Sequence, residues 1–336
     1  MINFIKKIIP KPIKKKLLKQ LQIINLEKNY KLDMEKFKKY SFEFGFTKEK
    51  RHHEADLIFF YHKIEKGLSL PNPRVGFGEE NVEYLLSKLE NYVDKYHWDD
   101  TSIITLNTLY AYYDFNKDNN LILDDLFNRI EKLSRTLPKE NTLSTGGIIE
   151  LKKEQIDKSG INFKDFAYSR YSIRDFAPGD VNLELIKESV QIAQKTPSVC
   201  NRQSSKVYVY SDEVIKKEVL KYQNGNAGFG DRASKILIVT CELKDFRGVI
   251  ERNQSYIDGG MYSMSLIYAL HSLGVGTCAL NLSVTNETEQ ALKRVARIGE
   301  SEVLLMMIAV GNLPERLKVA ASPRREAEEV MTVIYN

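Results

Sequence analysis

Arg170-Tyr-Ser-Ile-Arg174 and Pro197-Ser-Val-Cys-Asn-Arg-Gln203 are the two stretches that decide how this 336-residue chain is read. In an extended segment, alternation turns the Arg170, Ser172 and Arg174 side chains the same way. Two guanidinium forks around a hydroxyl form a receptor for a phosphate or for the carbonyl edge of a planar ring. The second stretch gathers hydroxyl, thiol, amide and guanidinium groups between an expected helix over 183–195 and an expected strand over 206–210. Sites in α/β and α+β folds tend to be built in such connections.

These motifs resemble the flavin-binding segments of the nitroreductase family, whose members often read R-x-S-x-R and P-S-x-x-N-x-Q. The resemblance runs from about Phe163 to the C-terminus, roughly half the chain. Leu273-Gly-Val-Gly-Thr-Cys278 resembles the family's strand entry beside the flavin ring. Ala309-Val-Gly-Asn-Leu-Pro314, Pro323-Arg324 and Glu328-Glu-Val330 resemble its closing strand and C-terminal arm. The fold this implies is α+β, a mixed and mainly antiparallel sheet flanked by helices.

The resemblance implies FMN as cofactor, NADH or NADPH as reductant, and an electron-poor acceptor with nitroaromatics and quinones as surrogates. It also implies a homodimer with the flavin at its interface. Arg170 and Ser172 would lie near the phosphate and ribityl end, and Arg174 near the ring or phosphate. Ser198, Cys200, Asn201 and Gln203 would line the other side, often of the partner's cofactor. Backbone of Thr277, Ala279, Leu280 and Asn281 would approach the flavin's reactive edge. Arg324 stands where the family keeps a basic phosphate ligand. Its customary lysine is replaced by Ser322, so Arg325 or Lys318 would complete the clamp. No catalytic side chain is required, because the flavin carries the redox step.

Composition bounds the remaining possibilities. An apolar content of 43% and a slightly negative mean hydropathy describe a globular chain. No apolar run reaches the length needed to span a bilayer, and no secretory leader is visible. Cys200, Cys241 and Cys278 form no C-x-x-C pair, which suits reduced thiols and a cytoplasmic location. The net charge of +5 is uneven: residues 1–39 hold twelve lysines against Glu27, Asp33 and Glu35, hence +9, leaving −4 for the rest.

Three regions follow: a basic amphipathic arm over 1–39, a helical region over 40–150, and a flavin-binding domain over 160–336. In the arm, Ile13, Leu17, Leu18, Leu21 and Ile24 recur at helical spacing between Lys14, Lys15, Lys16 and Lys19. The stripe suits either a packing or dimer-wrapping helix or a peripheral contact with an anionic membrane. With few aromatics interleaved, it gives no support for nucleic acid. Helices are expected over 54–66, 79–96, 101–115 and 121–137, the first ending at Gly67 as a cap. A linker is expected over 138–162. In the second half, helices are expected over 213–222 and 256–273, and strands over 234–241, 277–282 and 303–310.

Several other features invite chemistry and are set against plainer readings. Gly225-Asn-Ala-Gly-Phe-Gly230 fails as a dinucleotide fingerprint because it precedes a strand. It reads instead as a mobile loop with Phe229 as a lid. His62 and Glu65 lack the further ligands of a metal centre, so no metal is expected. Cys200 reads as a packing thiol. Arg202 replaces a neutral spacer and is expected to point outward. Residues 62–78 resemble part of an extension found on nitroreductase-like proteins linked to surface-polysaccharide biosynthesis. They are expected to reach over the flavin. An alternative function is therefore a specialised flavoenzyme or flavin-binding scaffold in that pathway.

Overall fold

A computed structural model describes residues 11–44, 48–68, 73–138, 146–148, 162–317 and 327–335. Most of the expected linker lies outside these residues, as do Lys318, Ser322, Pro323, Arg324 and Arg325. The fold is α+β, as expected. No helix among the described residues is long and apolar enough to cross a membrane.

The helical region opens with α1 (Lys11–Tyr40), followed by α2 (Lys50–Leu68), α3 (Glu79–Tyr96), α4 (Asp100–Asp118) and α5 (Asp124–Ser134). Leucines at helical spacing close a core between α2 and α5, with Leu57, Ile64, Leu85, Leu86, Leu89, Leu106, Leu109 and Ile130 all buried. At the start of α4, Asp99 accepts from the Ser102 N–H at 3.0 Å, and the Ser102 hydroxyl accepts from the Asp99 N–H at 2.8 Å. That reciprocal cap satisfies two otherwise orphaned donors and fixes where the helix begins.

After α6 (Phe163–Tyr168) and α7 (Leu183–Ala193) come β1 (Ser205–Tyr210), α8 (Glu213–Leu220), β2 (Lys235–Glu242), α9 (Gln254–Ser272), β3 (Val275–Asn281), α10 (Asn286–Ala296), β4 (Glu302–Asn312) and α11 (Ala327–Val330). The strands form one sheet in the order β1-β2-β4-β3, and every described pairing of strands is antiparallel. β2 is buried along its whole length, which is why its sequence is a continuous apolar run rather than an alternation. Ile236 and Ile238 join Met307, Ala309, Cys278 and Leu280 on one face. Leu237 and Val239 join Ile308, Val310 and the buried side of α9 on the other.

Gly67 corrects one sequence expectation. α2 continues through it to Leu68 instead of ending there. Its role is close approach, since a Cβ would stand 2.1 Å from Cε2 of Phe77. Phe77 is itself braced edge-on against Tyr112, with ring centroids 5.2 Å apart. The segment 73–78 is held within the helical region: the Gly76 N–H donates to Asn116 Oδ1 at 2.7 Å, and the Tyr112 hydroxyl donates to the Phe77 carbonyl at 2.7 Å. It therefore serves as a brace of this bundle and not as the expected cover over the flavin motifs. Residues 69–72 lie outside the described set.

Gly67→Ala sets two effects against each other. Helix propensity favours alanine by about 1 kcal/mol. Overpacking against a braced ring costs about 1–3 kcal/mol. The net expected result is destabilisation by about 1 kcal/mol, read as a lower urea midpoint.

Candidate functional site

The 170–177 strip runs in extended form along the start of β3. Its Ile173 N–H donates to the Thr277 carbonyl at 2.8 Å, and Ala177 bridges to Asn312. Ile173 and Phe176 are buried in the core. Between such anchors the alternation holds: Ser172 is half-buried and Arg174 exposed, on the side away from Ile173. The Arg174 guanidinium lies over the Phe229 ring at 6.0 Å. Neither Arg170 nor Arg174 has a carboxylate within ion-pair distance among the described residues.

Arg170 neighbours His271, whose Nε2 lies 2.8 Å from Ser169 Oγ. Burial of that imidazole lowers its pKa, and the Arg170 charge pushes in the same direction, against a hydrogen bond with the Phe166 backbone. Burial raises the Cys278 thiol, with Arg174 pulling the other way. Burial is the larger cause of both shifts, with Arg170 adding to the first and Arg174 opposing the second. Thr277 and Leu280 are buried, with the Leu280 side chain in the core, whereas Ala279 and Asn281 are exposed. Leu280 could therefore serve a ligand only through its backbone. β3 is an edge strand with β4 on one side; on its other side the Thr277 carbonyl accepts from the Ile173 N–H and the Asn281 carbonyl from Gln223 Nε2 at 3.1 Å.

The second motif forms an unusual turn. Cys200, Asn201 and Gln203 have φ of 49°, 53° and 50°. Left-handed backbone costs a non-glycine residue about 1–2 kcal/mol. Three such residues within four positions persist only if the surroundings over-determine them. Those surroundings are identifiable. The Val199 N–H donates to Asp258 Oδ2 at 3.0 Å, and the Gln203 N–H donates to Ser198 Oγ at 3.0 Å.

Arg202 supplies the rest, and it overturns the expectation that it points outward: only 1% of it is exposed. Its Nη1 donates to the Asp245 carbonyl at 2.6 Å, Nη2 to Glu251 at 2.8 Å, and Nε back to the Val199 carbonyl at 3.2 Å. The Asp245 side chain is held by both arms of Arg51 from α2, at 2.7 and 2.8 Å. Burial pushes the Asp245 carboxyl up to about 6 against the lowering pull of Arg51. The bidentate guanidinium keeps it ionised at neutral pH.

Phe229 corrects another expectation. It is buried in the core, and its N–H and that of Gly230 both donate to the Asn226 carbonyl, so this segment is a packed turn and no lid. His62 and Glu65 meet each other at 3.2 Å. Among the described residues, no group of three or more His, Cys, Asp or Glu is disposed to hold a metal ion.

Each motif is thus assembled, but the two lie at opposite corners of the sheet. Thr277 pairs with Val310, while Ser205 pairs with Cys241 and Cys241 with Val303. From β1 to β3 is ~14 Å across, and from Val303 to Val310 is ~23 Å along the strand, so the corners stand ~27 Å apart. A cleft of about 650 Å³ adjoins the 198–203 turn, lined by Ser198, Gln203, Tyr208, Asp258 and Tyr262 among others. A smaller one of about 280 Å³ adjoins the other strip, with Tyr171, Ile173, His271 and Thr277 in its walls.

The family model described as "Nitroreductase family" matches this part of the chain, over residues 167–223 and 215–312. The match runs from 167 to 312, less than half of the chain. No curated protein matches the chain. Among solved structures, a putative nitroreductase of Bacillus subtilis is 18% identical, covering 51% of this chain and 98% of its own, with a TM-score of 0.46. A nitroreductase family protein of Streptococcus pneumoniae is 18% identical, covering 52% and 100%, with a TM-score of 0.45. A putative nitroreductase in complex with FMN from Desulfovibrio desulfuricans is 17% identical, covering 52% and 98%, also at 0.45.

Asp258, Asp245, Glu251 and Arg51, which hold the 198–203 turn in shape, lie in no motif. Asp258 alone left a trace in sequence, as a carboxylate inside an otherwise apolar helix. Arg202→Met would strip one partner from a buried pair, at a cost of about 3–5 kcal/mol. Arg202→Lys would restore part of that loss, and chemical unfolding of the three proteins measures both.

Proposed function

We propose that this protein is an FMN-dependent oxidoreductase that works as a homodimer. The observation that carries the reading is a pair of guanidinium groups, Arg170 and Arg174, flanking Ser172 beside edge strand β3. They lack a carboxylate partner among the described residues. Charges of this kind suit a phosphate or an anionic ring edge. When bound, FMN would accept a hydride from NADH or NADPH and pass it to an electron-poor acceptor of the nitroaromatic or quinone type.

The chain's own residues have separable tasks in this reading. Arg170 and Ser172 hold the phosphate and ribityl end, and Arg174 holds the ring edge or phosphate. Backbone of Thr277, Ala279, Leu280 and Asn281 orients the ring, with Arg324 and Arg325 as further phosphate ligands. Ser198, Cys200, Asn201 and Gln203 form the opposite wall and exclude water from it. The ~27 Å between corners supports a dimer, because one chain cannot apply both walls to one ligand. Exposed Tyr256, Ile257 and Met261 on α9 offer an apolar surface for the second copy.

The choice of physiological acceptor belongs, in this reading, to the helical region. It lies outside the family match, and α2 packs against the 199–201 turn. That includes the surface-polysaccharide role its sequence resembles. A quinone is the surrogate with which to assay turnover.

Purified protein titrated with FMN should turn yellow and show bound flavin by quenched fluorescence. Each charge-assisted contact is worth about 1.5–3 kcal/mol. Arg170→Ala and Arg174→Ala should therefore each weaken FMN binding by about 10- to 100-fold. NADH or NADPH consumption with an added quinone should fall in parallel. Protein that is colourless once unbound FMN has been removed by desalting ends the proposal.

A further inference from the structure

The cofactor reading leaves α1 without a task, and α1 is divided in two. Its second half is fastened to the body through α10 and the turn after it. Lys28 meets Glu287 at 3.3 Å, Asn29 Oδ1 accepts from the Asn286 N–H at 2.8 Å, and Lys36 meets Glu289 at 2.9 Å. The Tyr40 hydroxyl donates to Glu300 at 2.8 Å, while Phe37 and Tyr40 pack by Leu243 and Phe246.

Nothing comparable holds the first half. Among the described residues, no ion pair or side-chain hydrogen bond joins residues 11–24 to the rest of the protein. Ile13, Leu18, Leu21, Ile23 and Ile24 are 42–58% exposed. Ile13, Leu17, Leu21 and Ile24 fall within about 80° of one another around the helix. Lys15 and Lys19 take the opposite side, Lys14 and Lys16 flank the stripe, Leu18 and Ile23 fall among the lysines, and the first acid is Glu27. The preceding sequence is of the same kind, with Lys6 and Lys7 among Ile2, Phe4, Ile5, Ile8 and Ile9.

We propose that the first half of α1 is a peripheral membrane anchor that lies in the headgroup region of an anionic bilayer. Charge complementarity selects this occupant. Lysines border the apolar stripe with no acid among them, so a protein partner would have to present a matching acidic rim. On the body, Glu287, Glu289 and Glu300 are already paired with the second half of the helix. An anionic lipid surface supplies a continuous negative plane over an apolar interior and needs no side-chain complementarity. Stacking on nucleic acid would need aromatics, and the first within α1 is Tyr30, beyond the free half.

The full-length protein should co-sediment with vesicles of phosphatidylcholine and phosphatidylglycerol at low salt. It should be released by high salt and stay in solution with phosphatidylcholine alone. Leu21→Glu/Ile24→Glu should abolish sedimentation while leaving the melting temperature and oligomeric state unchanged, because both side chains are exposed. Each of Lys14, Lys15, Lys16 and Lys19 changed to Gln should lower the vesicle partition coefficient about fivefold. Absence of binding, or equal binding to neutral vesicles, would overturn the anchor. So would a Leu21→Glu/Ile24→Glu protein that dissociates into monomers, since the stripe would then belong to a second copy of the chain.

Discussion

Arg202 and Asp245, each about 1% exposed, sit at the centre of a buried ionic knot on which the arrangement of this molecule depends. Desolvating such groups costs several kcal/mol per ion, so the knot is poorly explained as a source of stability. Its geometry explains it better. One guanidinium ties the 199 carbonyl to the 245–251 segment, and a second, from Arg51, grips the Asp245 carboxylate. The same segment is tied again when the Arg247 N–H donates to Glu251 and the Arg247 guanidinium reaches Asp56 of α2. The Arg247 guanidinium also covers the Phe59 ring at 4.7 Å. The helical region and the left-handed turn are therefore parts of one polar structure, although the family pattern covers only the latter.

Local patterning carried the fold to the extent that local forces set it. An unbroken apolar run over 234–241 read as a strand, and β2 forms there, buried from Lys235 to Glu242. The leucine spacing of 79–96 read as a helix, and α3 has those bounds. What misled were residues whose meaning lies in distant partners. An arginine in a polar turn reads as solvated, yet Arg202 is buried because its partners arrive from 43 and 49 positions away. Phe229, among glycines, reads as mobile, yet the core closes over it. Gly67 reads as a stop because a stop and a close approach both require the absence of Cβ. Only the position of Phe77 separates the two.

The site shows the same division. Residue types and spacing pointed to both motifs, and each is locally assembled. Their separation was not legible: some 25 residues along the chain suggest proximity, whereas the strand order puts them at opposite edges. In the proposed dimer, a two-fold partner would have to bring one subunit's 198–203 turn to the other's 170–174 strip, making two equivalent sites at once. That constraint is topological. No property of the individual side chains states it.

The two half-sites also differ in what they bring to a ligand. The 198–203 turn is tied down without a ligand: hydrogen bonds through Asp258, Ser198 and Arg202 hold three left-handed residues, which limits the conformational freedom to be lost on association. The 170–174 strip brings charge, since its arginines have not been neutralised by carboxylates among the described residues. Were the strip paired internally, an anion would have to displace a salt bridge before binding. Were the turn loose, ordering it would offset much of the contact energy. Shape fixed on one side and charge left open on the other would suit the proposed closure of two copies around a single anionic, planar ligand.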